Sequence, residues 1–142
     1  MSDNSFDVFY DKEKAMRQAL WLSFKNRITK TEFGVVRYKN NTWAVIESEV
    51  ADSVGFPFEK MSRDYSDISY DIIRDIKMDE EPLQHLEELL GVFSVMDGEL
   101  LRYILHAKIP LEKLIRYELA IRGFDKNHVW CGFEKAEDVW LK

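Results

Sequence analysis

The sequence predicts a predominantly helical α+β fold in a single domain, with an N-terminal helix and a β-hairpin followed by four to five helices. Three observations predict this class. Apolar residues recur at helical spacing over most of the chain. Two short segments rich in β-branched and aromatic residues flank a turn-prone Lys39-Asn40-Asn41. A chain of 142 residues with 46% hydrophobic content is also long enough to bury one core without disulfide bonds.

Capping residues and β propensity predict the first elements. Asp11 is a suitable N-cap for a helix over residues 11–28 with a continuous apolar stripe. FGVVRY and TWAVIES then predict a hairpin over residues 33–47, with its loop at Asn40-Asn41. Because two strands alone are marginally stable in water, we expect a helix to cover one face of this hairpin.

Proline and glycine residues divide the rest of the chain. Residues 48–60 are predicted to be a connection interrupted by Gly55 and Pro57. An acidic helix follows over about residues 59–78, and Pro82 begins the next one. The further helices are predicted over residues 82–95, 98–107 and 110–122, with a short closing helix over residues 134–141.

The negative charge of the chain is concentrated in one segment. Residues 61–97 carry three basic and ten acidic residues, a net charge of −7. Residues 1–60 carry nine of each kind, and residues 98–142 carry eight basic against seven acidic. The excess of acidic residues that gives the chain its net charge of −6 therefore lies in the middle quarter of the chain. Such localisation indicates an acidic face rather than uniform acidity for solubility.

Aspartates recur in this segment at steps of three or four residues, which is the repeat of one helical face. Aspartate is a mediocre helix former, and like charges four residues apart on a helix repel each other. Because both effects lower the stability of the helix, such a row predicts a surface that binds a cationic partner. The predicted partner-binding residues are Asp64, Asp67, Asp71, Asp75, Asp79, Glu80 and Glu81.

The function predicted from this row is that of a small acidic protein-interaction module that binds a basic partner surface. One form of the hypothesis is an inhibitor that imitates nucleic acid and blocks a nucleic-acid-binding protein. A single helical row offers one charge per about 5.5 Å, whereas duplex DNA offers one per roughly 1.7 Å of its axis. Imitation of a duplex would therefore require Glu80, Glu81, Glu87 and Glu88 to fold beside the row.

Two alternative hypotheses rest on the C-terminal third of the chain. The first is a helix-turn-helix-like nucleic-acid-binding protein that uses the basic residues of 102–122, although Glu112 and Glu118 offset much of their charge. Its binding residues would be Lys108, Lys113, Arg116 and Arg122. The second is a structural homo-oligomer subunit, in which the aromatic tail from Trp130 to Trp140 packs against a second copy.

The sequence predicts neither catalysis nor a bound metal or cofactor. It has no nucleophile elbow and no phosphate-binding glycine loop, and the His128–Cys131 pair lacks a second local pair of metal ligands. No apolar run approaches the roughly 20 residues that cross a bilayer, and the N-terminus lacks a signal-peptide pattern. The single cysteine suits a reducing compartment. We therefore expect a cytoplasmic protein without a membrane partner.

Overall fold

The computed structural model of the protein describes residues 7–54, 57–60 and 64–142. The predicted α+β class is confirmed, because helices predominate and an N-terminal helix precedes a hairpin. In chain order the elements are β1 (Asp7–Phe9), α1 (Lys12–Lys25), β2 (Phe33–Tyr38), a 3-10 turn (Lys39–Asn41), β3 (Thr42–Glu47), α2 (Ser48–Val54), α3 (Tyr70–Met78), α4 (Gln84–Ser94), α5 (Gly98–His106), α6 (Leu111–Arg122) and α7 (Phe133–Leu141).

The chain divides into two compact units, residues 1–73 and residues 74–142, and the division falls within α3. The first unit contains the sheet with α1 and α2, and the second contains α4 to α7. That residues 1–142 form a single domain stays a prediction.

The sheet is antiparallel, with the strand order β1-β3-β2. Val35 lies opposite Val45 in its register, and the loop between the strands falls at Asn40 and Asn41, as the predicted hairpin requires. Both asparagines adopt positive φ angles, 57° and 60°, which this residue type tolerates better than most. β1 was not predicted, because three residues are too few to show alternation and their pairing with β3 is a tertiary contact.

Helices cover both faces of this sheet rather than the one face expected. On one face, two alanines of α1 pack against valines of β2 and β3; on the other, Ala51 of α2 packs against the opposite side chains of the same strands. The first cluster comprises Ala15, Ala19, Val35 and Val45, and the second comprises Val36, Ala44, Ile46 and Ala51. Alternate residues of each strand are thus buried on opposite sides.

Two segments differ from their predicted structure. α2 forms where residues 48–60 were predicted to be a connection, because burial of Ala51 on the second sheet face stabilises it. The acidic helix begins at Tyr70 rather than near residue 59. Ser69 accepts a hydrogen bond from the backbone N–H of Ile72 (3.3 Å), which is an N-cap contact. Of the earlier stretch, residues 61–63 lie outside the described residues.

Two buried polar groups of the first unit lack hydrogen-bond partners among the described residues. They are Nε of Arg17 on α1 and the hydroxyl of Tyr65. Arg17 is only 8% exposed. Burial raises the pKa of Tyr65, and the positive charge of Arg17 opposes that shift. Unpaired buried polar groups reduce the stability that the apolar core supplies.

In the second unit, α6 and α7 form a closely packed helical hairpin. Ala120 and Ala136 are buried in it. The connecting loop is closed by backbone hydrogen bonds from Cys131 (2.9 Å) and Gly132 (3.2 Å) to the carbonyl of Gly123. The small side chains of these alanines let the two helices approach closely.

Candidate functional site

A cleft of about 380 Å³ lies between the end of α3 and α4, within the second unit. Its lining includes four apolar side chains, and Ile76 and Leu86 are the most buried of these. Pro82 and Leu90 complete this apolar floor. Gly91 also lines the cleft, and a Cβ atom built there would meet no atom within 4 Å. The cleft therefore has an apolar floor with open space above it.

The rim of the cleft is acidic. Asp79, Glu80 and Glu87 contribute three carboxylates, against the single ammonium group of Lys77. Asp79 is held in place, because its Oδ1 accepts a hydrogen bond from the backbone N–H of Glu81 (3.0 Å). α3 ends at Met78, so the partial negative charge of its last carbonyl groups adds to that of the carboxylates. The rim thus favours a positively charged group.

The predicted row of aspartates does not lie on a single helix. Asp64 and Asp67 precede α3, Asp71 and Asp75 lie on it, and Asp79 follows it directly. This corrects the expected continuous helical face. Of the seven predicted partner-binding residues, Asp79 and Glu80 line the cleft. Asp75 lies 3.5 Å from Arg74 in an exposed ion pair, which contributes little to stability.

Asp64 has a local structural role that explains why the helix does not start there. Its Oδ1 accepts hydrogen bonds from the hydroxyl (2.6 Å) and the backbone N–H (2.9 Å) of Ser66. These bonds lower the pKa of Asp64. A side chain that bonds its own neighbouring backbone competes with helix formation, so this aspartate stabilises a turn.

The predicted partner-binding residues did not include Glu87 or the apolar floor, although Glu87 was named as a charge that would have to fold beside the aspartate row. The signal that could have found them is Pro82, which separates two helices that both carry carboxylates beside apolar residues. A short connection of this kind brings the end of one helix close to the first turn of the next. Asp79 and Glu87 are eight residues apart in the sequence and line the same cleft.

Two of the four basic residues of the nucleic-acid hypothesis have acidic neighbours. Nε of Arg122 lies 2.9 Å from the carboxylate of Glu118, and Nε of Arg116 lies 4.0 Å from that of Glu112. Lys113 and Arg116 line a second cleft, together with Tyr117, Trp140 and Lys142. Lys108 lies between α5 and α6 with a φ angle of 52°. Direct nucleic-acid binding stays a prediction.

The aromatic tail divides into an internal part and an exposed part. The indole N–H of Trp140 donates a hydrogen bond to the carbonyl of Phe124 (2.8 Å), which ties α7 to the loop. Trp130 and Phe133 are 57% and 60% exposed and meet edge to face. If this tail meets a second copy, Trp130 and Phe133 are better placed to do so than Trp140.

Neither a metal centre nor a membrane span is found in the part of the chain that the structure describes. No group of three or more histidine, cysteine, aspartate or glutamate side chains is placed to hold a metal ion there. No helix there is long and apolar enough to cross a bilayer. The absence of catalysis and of a cofactor stays a prediction.

His85, in the first turn of α4, gives a testable pH dependence. Partial burial lowers its pKa below the ordinary 6.5, and the nearby carboxylate of Glu88 opposes that shift. The His85 imidazole therefore binds its proton more tightly in the unfolded chain than in the folded protein. The stability that His85 contributes is fully present above pH 6.5 and is lost as the pH falls through the folded-state pKa.

We expect an NMR titration of the His85 imidazole to give a midpoint below 6.5. Glu88→Gln should lower that midpoint further, because the carboxylate that favours the charged imidazole is removed. A midpoint at or above 6.5 in the wild-type protein would contradict the assignment of burial as the dominant cause.

Comparison of the chain with protein-family models, with curated proteins and with solved structures gave no match.

Proposed function

We propose that this protein is a cytoplasmic, non-catalytic interaction module that binds a basic segment of a partner protein in the acidic cleft between α3 and α4. The observation that carries the proposal is the placement of three carboxylates, Asp79, Glu80 and Glu87, around an apolar floor. The lone cysteine, Cys131, supports the cytoplasmic location.

The combination of floor and rim suits a lysine or arginine side chain. The aliphatic part of such a side chain can lie on Ile76, Leu86 and Leu90 while its charged head reaches the carboxylates. Arginine is favoured over lysine where two carboxylate oxygens can accept from one guanidinium group. An uncharged peptide would offer no positive charge to complement the three carboxylates.

The surrounding charge supports the encounter with such a partner. Residues 74–97 of the second unit carry seven acidic and two basic residues, a net charge of −5, which attracts a basic segment and speeds association at low ionic strength. Each exposed ion pair contributes only about 0.2–1 kcal/mol. Useful affinity therefore requires several cations in the partner segment as well as contact with the apolar floor.

An inhibitor of a nucleic-acid-binding protein is one form of this proposal. Basic segments that contact phosphate carry a plain excess of lysine and arginine, and the cleft would occupy such a segment in place of phosphate. Three carboxylates around one cleft suit a short basic segment better than they imitate a whole duplex.

The proposal predicts the effect of neutralising the rim. Binding of a fluorescent hexa-arginine peptide should weaken by roughly 10- to 100-fold in the triple variant Asp79→Asn, Glu80→Gln, Glu87→Gln, since three exposed pairs are lost. Asparagine at position 79 keeps an oxygen that can accept from Glu81. Fluorescence anisotropy at low salt measures the affinity, and far-UV circular dichroism checks the helix content.

A matched control removes the same amount of charge elsewhere in the second unit. Glu99→Gln, Glu134→Gln and Glu137→Gln alter exposed carboxylates that do not line the cleft. This control should change the affinity less than about threefold, because distant surface charges are screened by salt. Equal losses in the two triple variants, or peptide-induced NMR shifts that leave Ile76 and Leu86 unchanged, would overturn the cleft as the binding site.

A further inference from the structure

The second unit also has an apolar groove between α4 and α6 that shares no residue with the acidic cleft. Its volume is about 450 Å³. Six of its lining side chains are exposed by 39% to 60%. They are Leu89, Val92 and Phe93 of α4, and Leu111, Leu114 and Ile115 of α6. Exposed apolar side chains scattered singly are ordinary, whereas this many around one groove are typical of an interaction surface.

The charge of the groove differs from that of the cleft. Its two charged lining residues are Glu118 and Arg122, whose side chains form an ion pair of 2.9 Å on α6. A groove with one carboxylate and one guanidinium is complementary to itself, because Glu118 of one copy can pair with Arg122 of another. Two acidic clefts would repel each other, so the two surfaces suit different partners.

We infer that the groove between α4 and α6 is the interface of a reversible homodimer, in which the same groove of a second copy is its occupant. A two-fold dimer requires a self-complementary patch on each copy, and the apolar lining with its neutral pair of charges provides one. This inference is independent of the acidic cleft and its basic partner.

The area available is consistent with a weak dimer. Full burial of an aliphatic side chain removes on the order of 100 Å² of apolar surface from water. Six side chains that are each about half exposed therefore offer roughly 300 Å² per copy. With a polar rim of ordinary proportion, two copies would bury on the order of 1,000 Å², the lower limit for a specific interface. The dimer should consequently dissociate on dilution.

Sedimentation velocity over a wide range of protein concentration tests the inference. Wild-type protein should change from monomer to dimer as its concentration rises. Ile115→Asp should weaken the dimer by at least about 100-fold, because a carboxylate would be buried in an apolar interface without a partner. Tyr117→Asp is the matched control, since Tyr117 lies on the same helix, is 59% exposed against 60% for Ile115, and does not line the groove.

Charge exchange then identifies the two surfaces that meet. Glu118→Arg and Arg122→Glu should each weaken self-association, whereas a mixture of the two variants should form a heterodimer at least as strong as the wild-type dimer. Circular dichroism confirms that each variant retains its helices. A wild-type protein that stays monomeric throughout overturns the inference, as does a dimer that Ile115→Asp and Tyr117→Asp affect equally or a mixture that shows no heterodimer.

Discussion

Replacement of Gly34 by alanine should destabilise the first unit by roughly 2–4 kcal/mol. Gly34 lies in β2, where a Cβ atom would overlap the carbonyl oxygen of Glu59 and the ring of Phe58. That carbonyl accepts a hydrogen bond from the N–H of Val35 (2.6 Å), and the N–H of Glu59 donates to the carbonyl of Val35 (2.9 Å). An added methyl group must push this backbone segment away and break both bonds.

Two further contacts depend on the same segment. Phe58 packs against the second core cluster of the sheet, and the carboxylate of Glu59 forms an ion pair with Lys12 of α1 (2.5 Å). Loss of the Phe58 contact accounts for the upper part of the expected range. Urea unfolding followed by amide signals of Val35 and Val45 reports on this unit.

A second substitution separates the two possible clashes at Gly34. Phe58→Ala removes the ring but leaves the Glu59 carbonyl in place. The ring is the far end of a flexible side chain and can move, whereas the carbonyl is backbone. We therefore expect Gly34→Ala to cost about 2 kcal/mol, the lower part of the range, in the Phe58→Ala background, because the packing of Phe58 is already lost there. Full rescue in that background would show that the carbonyl contact does not decide the effect.

The fold class could be predicted because local signals decided it. Thr42–Glu47 is rich in β-branched and aromatic residues, Asn40-Asn41 tolerates positive φ angles, and Asp97 caps α5 by accepting from the N–H groups of Glu99 (3.1 Å) and Leu100 (3.2 Å). Each of these features acts within a few residues, so a pattern in the sequence is enough to find it.

The beginning of the acidic helix could not be predicted from the same kind of pattern. The repeat of aspartates continues through Asp64 and Asp67, but Asp64 bonds Ser66 and Ser69 caps the helix that follows. Asp64 and Ser69 are compatible with a turn and an N-cap as well as with a continuous helix, and the spacing of the aspartates favours the helix. Here a turn and an N-cap competed with periodicity, and the outcome depends on contacts that the spacing does not contain.

The candidate site was predicted in part for a related reason. Charge localisation pointed to Asp79 and Glu80, because an excess of acidic residues is visible in the sequence. The contribution of Glu87 and the apolar floor depends on the angle between α3 and α4, which no local repeat specifies. The groove between α4 and α6 likewise depends on how these two helices pack, which no local repeat specifies.

Replacement of Gly123 by alanine should destabilise the helical hairpin of α6 and α7 by roughly 2–4 kcal/mol. Gly123 ends α6 with a φ angle of 77° and a ψ angle of 19°, a left-handed conformation that costs a side chain about 1–2 kcal/mol. A Cβ atom there would also overlap the ring of Trp130. Displacement of that ring disturbs its edge contacts with Phe124 and Phe133 and the bridge between Phe124 and Trp130.

A double-mutant cycle separates the backbone cost from the ring contact. In a Trp130→Ala background the overlap is absent, so Gly123→Ala should cost only the roughly 1–2 kcal/mol of the left-handed conformation. Gly91→Ala is the control within the same unit, because a Cβ atom meets nothing within 4 Å there and alanine should favour α4 by up to about 1 kcal/mol. Urea unfolding followed by the amide signals of Ala120 and Ala136 measures all four variants. Equal costs of Gly123→Ala with and without the indole would show that the Trp130 ring does not constrain this turn, and the hairpin would then depend on backbone conformation alone.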